Sequence, residues 1–490
     1  MCTLHAATRN FALLFLGCLL FHVAGTWSLP LVDRDEPRFA EATREMRERG
    51  DYVVPFFNNN VRFDKPPLTY WCQLGSYGIF GQNDFAARFP TAVAAAATAL
   101  VLLAWGSRMG AERVGWLAAL IFTLCLQTFV HGKAAVADMW LVLFVCAAHW
   151  AGYELLGPAL DRSASPGGTR PATAWWWLFY AALALAFLAK GPIGWTPLLT
   201  VAASKFFLPN LRLHRQFVLA TGIPFTLALV GFWGIPALLR TNGEFFRVGI
   251  GHHVVERSIA TMEGHGGNSL GMYVLTLPLY FLTLFLSFFP WSLQLPWLAR
   301  QLRKGRDARD LYLLTGSAII FLIFTLVKTK LPHYTLPAFP LLALLLARHL
   351  ATVTARVECA YRTAFITAAV LLAIAFFAFP FARGLVPSVQ LFEQARAELR
   401  PEMQIGAVEY VEPSIVWYFR GRAKGWLTSL PPKNARSFMA EPGARCLILP
   451  TSLAAIIFPD RPQEWRSYAT HGWNIVKGQR VDLTLLIKRA

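Results

Sequence analysis

The sequence predicts a polytopic α-helical membrane protein with a small extracytoplasmic α/β domain at its C-terminal end. Hydrophobic residues make up 55% of the 490 residues, and the mean hydropathy is +0.43. Charged residues are only 15% of the chain, and they collect between long apolar runs. Because a helix needs about 20 apolar residues to cross a bilayer, these runs are typical of membrane spans. Soluble domains carry far more charge.

The apolar runs predict about eleven transmembrane helices, which form a membrane domain over 1–384. The first run resembles a signal peptide, but we expect it to be retained as an anchor because many spans follow it. Short apolar runs separated by Pro431-Pro432 and Pro442-Gly443 predict a mixed α/β domain over 385–490. The predicted spans are 11–30, 85–105, 114–130, 136–156, 175–189, 192–208, 216–239, 270–298, 310–327, 334–350 and 363–381.

The basic residues predict the orientation of the chain rather than a nucleic-acid partner. The formal net charge is +18, but Lys and Arg concentrate in every second loop instead of on one soluble face. The positive-inside rule therefore places these loops in the cytoplasm. The outer loop 31–84, the loop 240–269 and the tail then lie outside. This pattern predicts a multi-pass inner-membrane protein with these segments on its periplasmic side.

The first outer loop contains the first group of candidate catalytic residues. Asp35, followed by Pro37, predicts a helix start, and Gly50 predicts its end. Charges of alternating sign suggest that this helix lies along the membrane surface. From spacing alone, Asp35 is equally well explained as a helix cap and Arg38 as a surface ion-pair partner.

Further ionisable residues fall on the same predicted side of the membrane. Pro66-Pro67 fixes extended backbone after Lys65, which suits a lysine held in one position. Ionisable residues at span ends are usually functional, and such ends hold Lys133, Asp138, Lys190 and Lys330. Arg38, Lys65, Arg257 and Lys330 would together form a pocket for a phosphate or diphosphate. Asp35 and Asp138 could then position or deprotonate an acceptor.

The segments DEPRFAEATREMRERGDYVVP, FDKPPLTYW, KAAVADMW and KTKLPHYTLP resemble the bacterial GT-C glycosyltransferases. The similarity is to the lipid A aminoarabinose transferases and the protein O-mannosyltransferase-like family, over about the first three quarters of the chain. It implies Asp35 as the key carboxylate and a divalent metal held by Asp64 with His252 or His253. The predicted catalytic residues are Asp35, Glu36, Arg38 and Asp138; the predicted carrier-phosphate ligands are Lys65, Arg257, Lys330, His333 and Tyr334; the predicted metal ligands are Asp64 and His253.

Together these features predict an inverting glycosyltransferase. The donor would be a sugar on a polyprenyl (undecaprenyl) phosphate carrier, and the acceptor lipid A, another envelope glycan or a protein. The alternative is a transporter or flippase of lipid-linked sugars. Such folds commonly carry internal repeats and charges near the bilayer midplane. The sequence shows no repeat and places its charges near one face, which favours the transferase.

Overall fold

The computed structural model describes residues 2–160, 173–249, 251 and 270–489, and within them the fold is a bundle of helices followed by a small sheet domain. The predicted fold class is confirmed at this level. The helices of the bundle are Cys2–Val23, Asp35–Arg49, Leu68–Phe80, Asp84–Met109, Glu112–Thr123, Leu126–His131, Asp138–Leu160, Thr173–Lys190, Thr196–Ala203, Leu213–Phe217, Leu219–Arg240, Glu244–Phe246, Leu270–Thr276, Leu279–Ser287, Leu295–Lys304, Ala308–Leu326, Phe339–Leu350, Thr354–Ala373 and Phe379–Arg383.

Within the described residues, six helices are long and apolar enough to cross a membrane, or seven if a pair bent by 108° counts as one span. The six are Asp84–Met109, Asp138–Gly157, Thr173–Lys190, Leu219–Arg240, Ala308–Leu326 and Thr354–Arg383. The predicted count of about eleven is therefore not confirmed. Four predicted spans are broken: 114–130 divides after Thr123, 270–298 bends after Ser287, and 192–208 and 334–350 begin as 3₁₀ turns at Pro192–Trp195 and Pro332–Ala338. Proline explains the last two breaks, because it removes a backbone donor and fixes φ.

The surface helix, Asp35–Arg49, has the predicted extent and ends at Gly50, whose φ of 66° is left-handed. Its start differs from the prediction, because Arg34 occupies the cap position and Asp35 is the first helical residue, with no side-chain cap bond. Phe39, Ala42 and Met46 are at most 2% exposed. The helix is thus clamped between its neighbours, Leu68–Phe80 and Pro413–Arg420, rather than lying free on the bilayer.

The strands that the structure describes are β1 Phe56–Phe57, β2 Asn60–Val61, β3 Gln404–Val408, β4 Leu427–Leu430, β5 Arg445–Pro450, β6 Arg466–Asn474 and β7 Gln479–Lys488. In the C-terminal region, five of them form a mixed sheet with strand order β4-β3-β5-β7-β6. β3, β4 and β5 are parallel, whereas β7 is antiparallel to both β5 and β6. Helices pack on this sheet, and together they bury two apolar clusters that are separate from the core of the bundle. The helices of this region are Pro387–Ala395, Pro413–Arg420, Ala435–Ala440 and Thr451–Ile457.

Polar contacts join the sheet domain to the first outer loop. The hairpin β1–β2 turns at Asn58 and Asn59, both at positive φ, which asparagine tolerates well. The Asn58 side chain exchanges hydrogen bonds with the backbone of Leu427, at 2.8 and 2.9 Å. Arg420, 7% exposed, forms salt bridges with Glu41, Glu45 and Glu48 of the surface helix. These buried contacts fix the sheet domain directly over that helix.

Candidate functional site

Three cavities meet at Asp64. Two are largely apolar clefts, of about 420 and 520 Å³, that share Lys190, Pro192 and Trp195 between helices of the bundle. The third, of about 310 Å³, has the most polar lining of the three and is formed by the β1–β2 hairpin, Arg38 and Arg62; we call it the polar cavity. A ligand with a polar head and an apolar chain could therefore place the head in the polar cavity and the chain in an apolar cleft, with Asp64 between them.

Lys65 lines the larger apolar cleft beside Asp64. Its Nζ donates to the Asp64 carbonyl at 3.2 Å, and the two prolines after it lead directly into the helix Leu68–Phe80. This local structure fits the prediction that the sequence holds Lys65 in place. The cationic end of the side chain thus lies at the polar end of the apolar cleft.

Asp138 opens the helix Asp138–Leu160 and is the centre of a charged cluster at the same cleft. Its Oδ1 accepts from Lys190 Nζ at 2.5 Å and lies 3.8 Å from His333 Nε2. The rings of His131 and His333 are 4.9 Å apart, and Lys190 Nζ lies 5.4 Å from the ring centre of Tyr334. The structure thus brings Asp138, His333 and Tyr334 together with Lys190, which the sequence had also singled out, and it adds His131.

The first residues of the surface helix differ in how far they are exposed. Asp35 is exposed, and Arg38 lines the polar cavity. Glu36 is buried: its carboxylate accepts from Arg88 Nε and Nη2, both at 2.7 Å, and from the backbone N–H groups of Val32 and Ala135 at 2.8 and 2.7 Å. This carboxylate is engaged by protein donors throughout, which favours an anchoring role for Glu36 over the predicted catalytic role.

Two lysines at predicted functional positions cap helices instead. Lys330 Nζ donates to the carbonyls of Phe324, Thr325 and Val327, at the end of the helix Ala308–Leu326. Lys133 Nζ donates in the same way to Phe21, His22 and Ala24, at the end of the first helix. Cations are favourable at helix C-termini, where carbonyls lack partners. Lys330 lies outside the linings of the three cavities, which speaks against the predicted phosphate contact.

The sequence prediction missed Arg62, which lines the polar cavity, and Tyr70, which is packed close to it. Tyr70 is fully buried against Phe39, and its hydroxyl has no hydrogen-bond partner within the described part of the chain. Burial raises its pKa to about 12, and the charges of Arg62, Asp64 and Asp35 all act on it. Arg62 Nη2 lies 3.5 Å from Asp64 Oδ2 and its guanidinium is 4.8 Å from the Phe39 ring. Tyr70 belongs to the predicted FDKPPLTYW segment, so its place there was the available signal.

Among the described residues, one group of three side chains has the spacing for a metal ion: His131, Asp138 and His333, whose ligand atoms lie within 4.8 Å of one another. Lys190 already neutralises Asp138 there. Asp64, the predicted metal ligand, is not in that group and pairs with Arg62. The predicted phosphate ligand Arg257 and metal ligand His253, with its alternative His252, lie outside the described residues.

Comparison with known proteins finds a matching family model and several relatives by sequence. Residues 10–245 match the family model described as "Dolichyl-phosphate-mannose-protein mannosyltransferase". The "Undecaprenyl phosphate-alpha-4-amino-4-deoxy-L-arabinose arabinosyl transferase 2" of Sodalis glossinidius is 30% identical over 345 residues. That alignment covers 68% of this chain and 59% of the relative, so the chain matches under two thirds of the relative's length. An uncharacterized protein of Aquifex aeolicus is 28% identical, over 70% of this chain and 73% of its own.

Solved structures show the same fold. The crystal structure of ArnT from Cupriavidus metallidurans bound to undecaprenyl phosphate superposes with a TM-score of 0.76 and covers 97% of this chain and 98% of its own. At 18% identity this likeness establishes the fold alone. Together with the sequence relatives, it confirms the family resemblance predicted from the sequence motifs.

Proposed function

Because this chain belongs to the GT-C glycosyltransferases of the aminoarabinose transferase family, we propose that it transfers a sugar from a polyprenyl-phosphate carrier to an extracytoplasmic acceptor. The observation that carries this proposal is the meeting of two apolar clefts and one polar cavity at Asp64, beside Lys65. The clefts suit a polyprenyl chain, and Lys65 suits the phosphate that ends it. The acceptor would be lipid A, another envelope glycan or a protein.

Lys65 would hold the carrier phosphate, together with Arg257. A carrier phosphate is a good leaving group at neutral pH, so the reaction needs stabilisation of the departing negative charge more than a strong general acid. Lys190 and the Asp138 cluster line the same cleft. Since Asp138 binds Lys190 and sits beside His333, we assign it to positioning these groups rather than to attacking the sugar.

The acceptor would enter through the polar cavity, which shares Asp64 with both apolar clefts. Arg38 lines that cavity, and exposed Asp35 lies one helical turn earlier on the surface helix. Asp35 would orient the acceptor hydroxyl or take its proton, and Arg38 would bind an anionic acceptor group. Attack from the face opposite the phosphate inverts the anomeric centre. If the acceptor is itself a phosphate, no base is needed and Asp35 only positions it.

We further propose an inner-membrane location with this site on the periplasmic face. The alternation of basic loops supports this orientation. The shorter helices beside the six long ones would bring the number of crossings towards eleven, and the sheet domain, beginning near residue 385, would stand over the acceptor entrance.

The purified protein in liposomes tests these roles. Undecaprenyl-phosphate sugars, including the 4-amino-4-deoxy-arabinose donor, are supplied with lipid A, and release of undecaprenyl phosphate is measured. We expect turnover by the wild type and at least a hundredfold loss in Asp35→Asn, which leaves the exposed position folded. Wild-type turnover in Asp35→Asn would refute the role of Asp35. If the protein binds the donor but shows no turnover with lipid A, the result would count against lipid A as the acceptor.

A further inference from the structure

A second polar cleft lies where the helical bundle meets the sheet domain. It measures about 530 Å³ and shares none of its lining residues with the three cavities at Asp64. Its walls come from the start of the helix Asp84–Met109, from the surface helix and from the helices of the C-terminal region. The transfer site described above does not use it.

Three arginines make the cleft basic. Arg396 and Arg422 are exposed, and within the part of the chain that the structure describes neither forms a salt bridge. Arg44 is only 5% exposed, stacks on Trp417 at 3.9 Å from the ring centre, and leaves its buried Nε without a hydrogen-bond partner among the described residues. A buried guanidinium N–H without a partner costs free energy, so this side chain is suited to an incoming acceptor.

One acidic residue, Asp84, also lines the cleft, but both of its carboxylate oxygens already accept hydrogen bonds from protein donors. Its Oδ1 accepts from Trp417 Nε1 at 2.8 Å and its Oδ2 from the Tyr418 hydroxyl at 2.7 Å. Arg44 is partly balanced by Glu41, at 2.7 Å. The excess positive charge therefore belongs to Arg396 and Arg422, which makes the open side of the cleft attractive to an anion.

The surroundings of the cleft place it at the edge of the membrane. Trp27, 54% exposed, follows the first helix, and Phe85 stands at the start of a membrane span. Phe85 continues into an aromatic group with Phe80 and Phe89, at 5.2 and 5.7 Å. Aromatic residues are enriched at the level of lipid headgroups, and exposed ones beside a basic cleft suit an amphiphile rather than a soluble ion.

We propose that this cleft binds the phosphate of an anionic lipid in the outer leaflet. Arg396 and Arg422 donate to the phosphate oxygens, Arg44 lies behind them, and the acyl chains lie beside Trp27 and Phe85. The phosphodiester of a phospholipid and the phosphate of a phosphorylated glycolipid share this chemistry. The site holds a lipid between the bundle and the sheet domain whether or not the chain transfers a sugar.

Native mass spectrometry of the purified full chain tests the proposal, with phosphatidylglycerol as the titrated lipid. The variant is Arg396→Gln/Arg422→Gln, and Arg400→Gln is the matched control, an exposed arginine of the same region outside the cleft. Because the double variant loses two charge-assisted contacts with the phosphate, we expect the first bound lipid to bind at least ~10-fold more weakly. The control should bind as the wild type does.

Three results would overturn it: equal affinity in the double variant, an equal loss in Arg400→Gln, which would show general basicity, or binding of inorganic phosphate as tight as that of phosphatidylglycerol. Titration with lipid A alongside identifies the source of the phosphate. Because both changed arginines are exposed, thermal unfolding of the double variant should match the wild type, which separates lost binding from lost structure.

Discussion

Replacing Arg88 should destabilise the membrane domain more than any exposed charge change on the same helix. Arg88 is 1% exposed and directs its donors at Glu36, at 2.7 Å twice, and at the carbonyls of Thr26, Leu29 and Pro30. It therefore ties the chain between the first two helices to the start of the surface helix. Arg88→Met would leave the Glu36 carboxylate buried without its cation.

Breaking a buried pair from one side costs about 3–5 kcal/mol, because an uncompensated charge remains. Arg108→Met provides the control, since it removes the partner of Glu154 at the other end of the same helix from a position that is 55% exposed. An exposed pair contributes about 0–1 kcal/mol. The free energy of unfolding in mixed SDS and dodecylmaltoside micelles, followed by Trp fluorescence, gives both values.

A double variant, Glu36→Gln/Arg88→Met, should be less destabilised than the sum of its single variants, with a coupling of about 1–3 kcal/mol. Glu36→Gln removes the charge and keeps one acceptor oxygen, which serves the N–H group of either Val32 or Ala135. If Arg88→Met costs no more than Arg108→Met, the Glu36–Arg88 pair does not anchor the outer loop. Additive single effects would lead to the same conclusion.

Three further predictions concern the outer loop and the sheet domain. Lys65→Ala should raise the KM for the lipid-phosphate sugar at least ~10-fold, because a charge-assisted phosphate contact is lost; an unchanged KM would exclude that contact. Arg420→Met should loosen the sheet domain by about 1.5–3 kcal/mol, because Glu41 loses one charged hydrogen bond but keeps its contact with Arg44. Faster proteolytic release of the domain would show this, and release at the wild-type rate would contradict it. Burial raises the pKa of Asp33 to about 7 from 3.8, so the folded state binds the extra proton, and stability should fall by at most ~1.4 kcal/mol per unit as pH rises from about 4 to 7. Hydrogen exchange near Ser414 should follow this slope in the wild type and flatten in Asp33→Asn; an equal slope in both would refute it.

Local signals in the sequence predicted the surface helix well. Gly50 marks its end, and Pro37 lies in its first turn, as the structure shows. Two predicted spans failed for an equally local reason, since Pro192 and Pro332 open 3₁₀ turns inside apolar runs. Hydropathy alone records the apolar character of such a run but not the break in its backbone.

Side-chain partners from distant segments could not be predicted. Lys133 caps a helix that ends 110 residues earlier in the chain, at Val23, so its sequence position suggested function where the structure shows capping. Arg88 gave a signal that was missed, an arginine in the first turns of a 26-residue apolar helix. Lys330 lies a few residues after a helix end, where capping is a common role for lysine.

The central claim is the transfer of a sugar from a lipid-phosphate carrier at the site around Lys65 and Asp35. It is tested most directly by mass spectrometry of lipid A, envelope glycans and periplasmic proteins from a deletion strain complemented with wild type or with Asp35→Asn. We predict a sugar that is lost on deletion and restored only by the wild type, which would identify sugar and acceptor together. Restoration by Asp35→Asn, or no change in any glycan under inducing conditions, would contradict the claim.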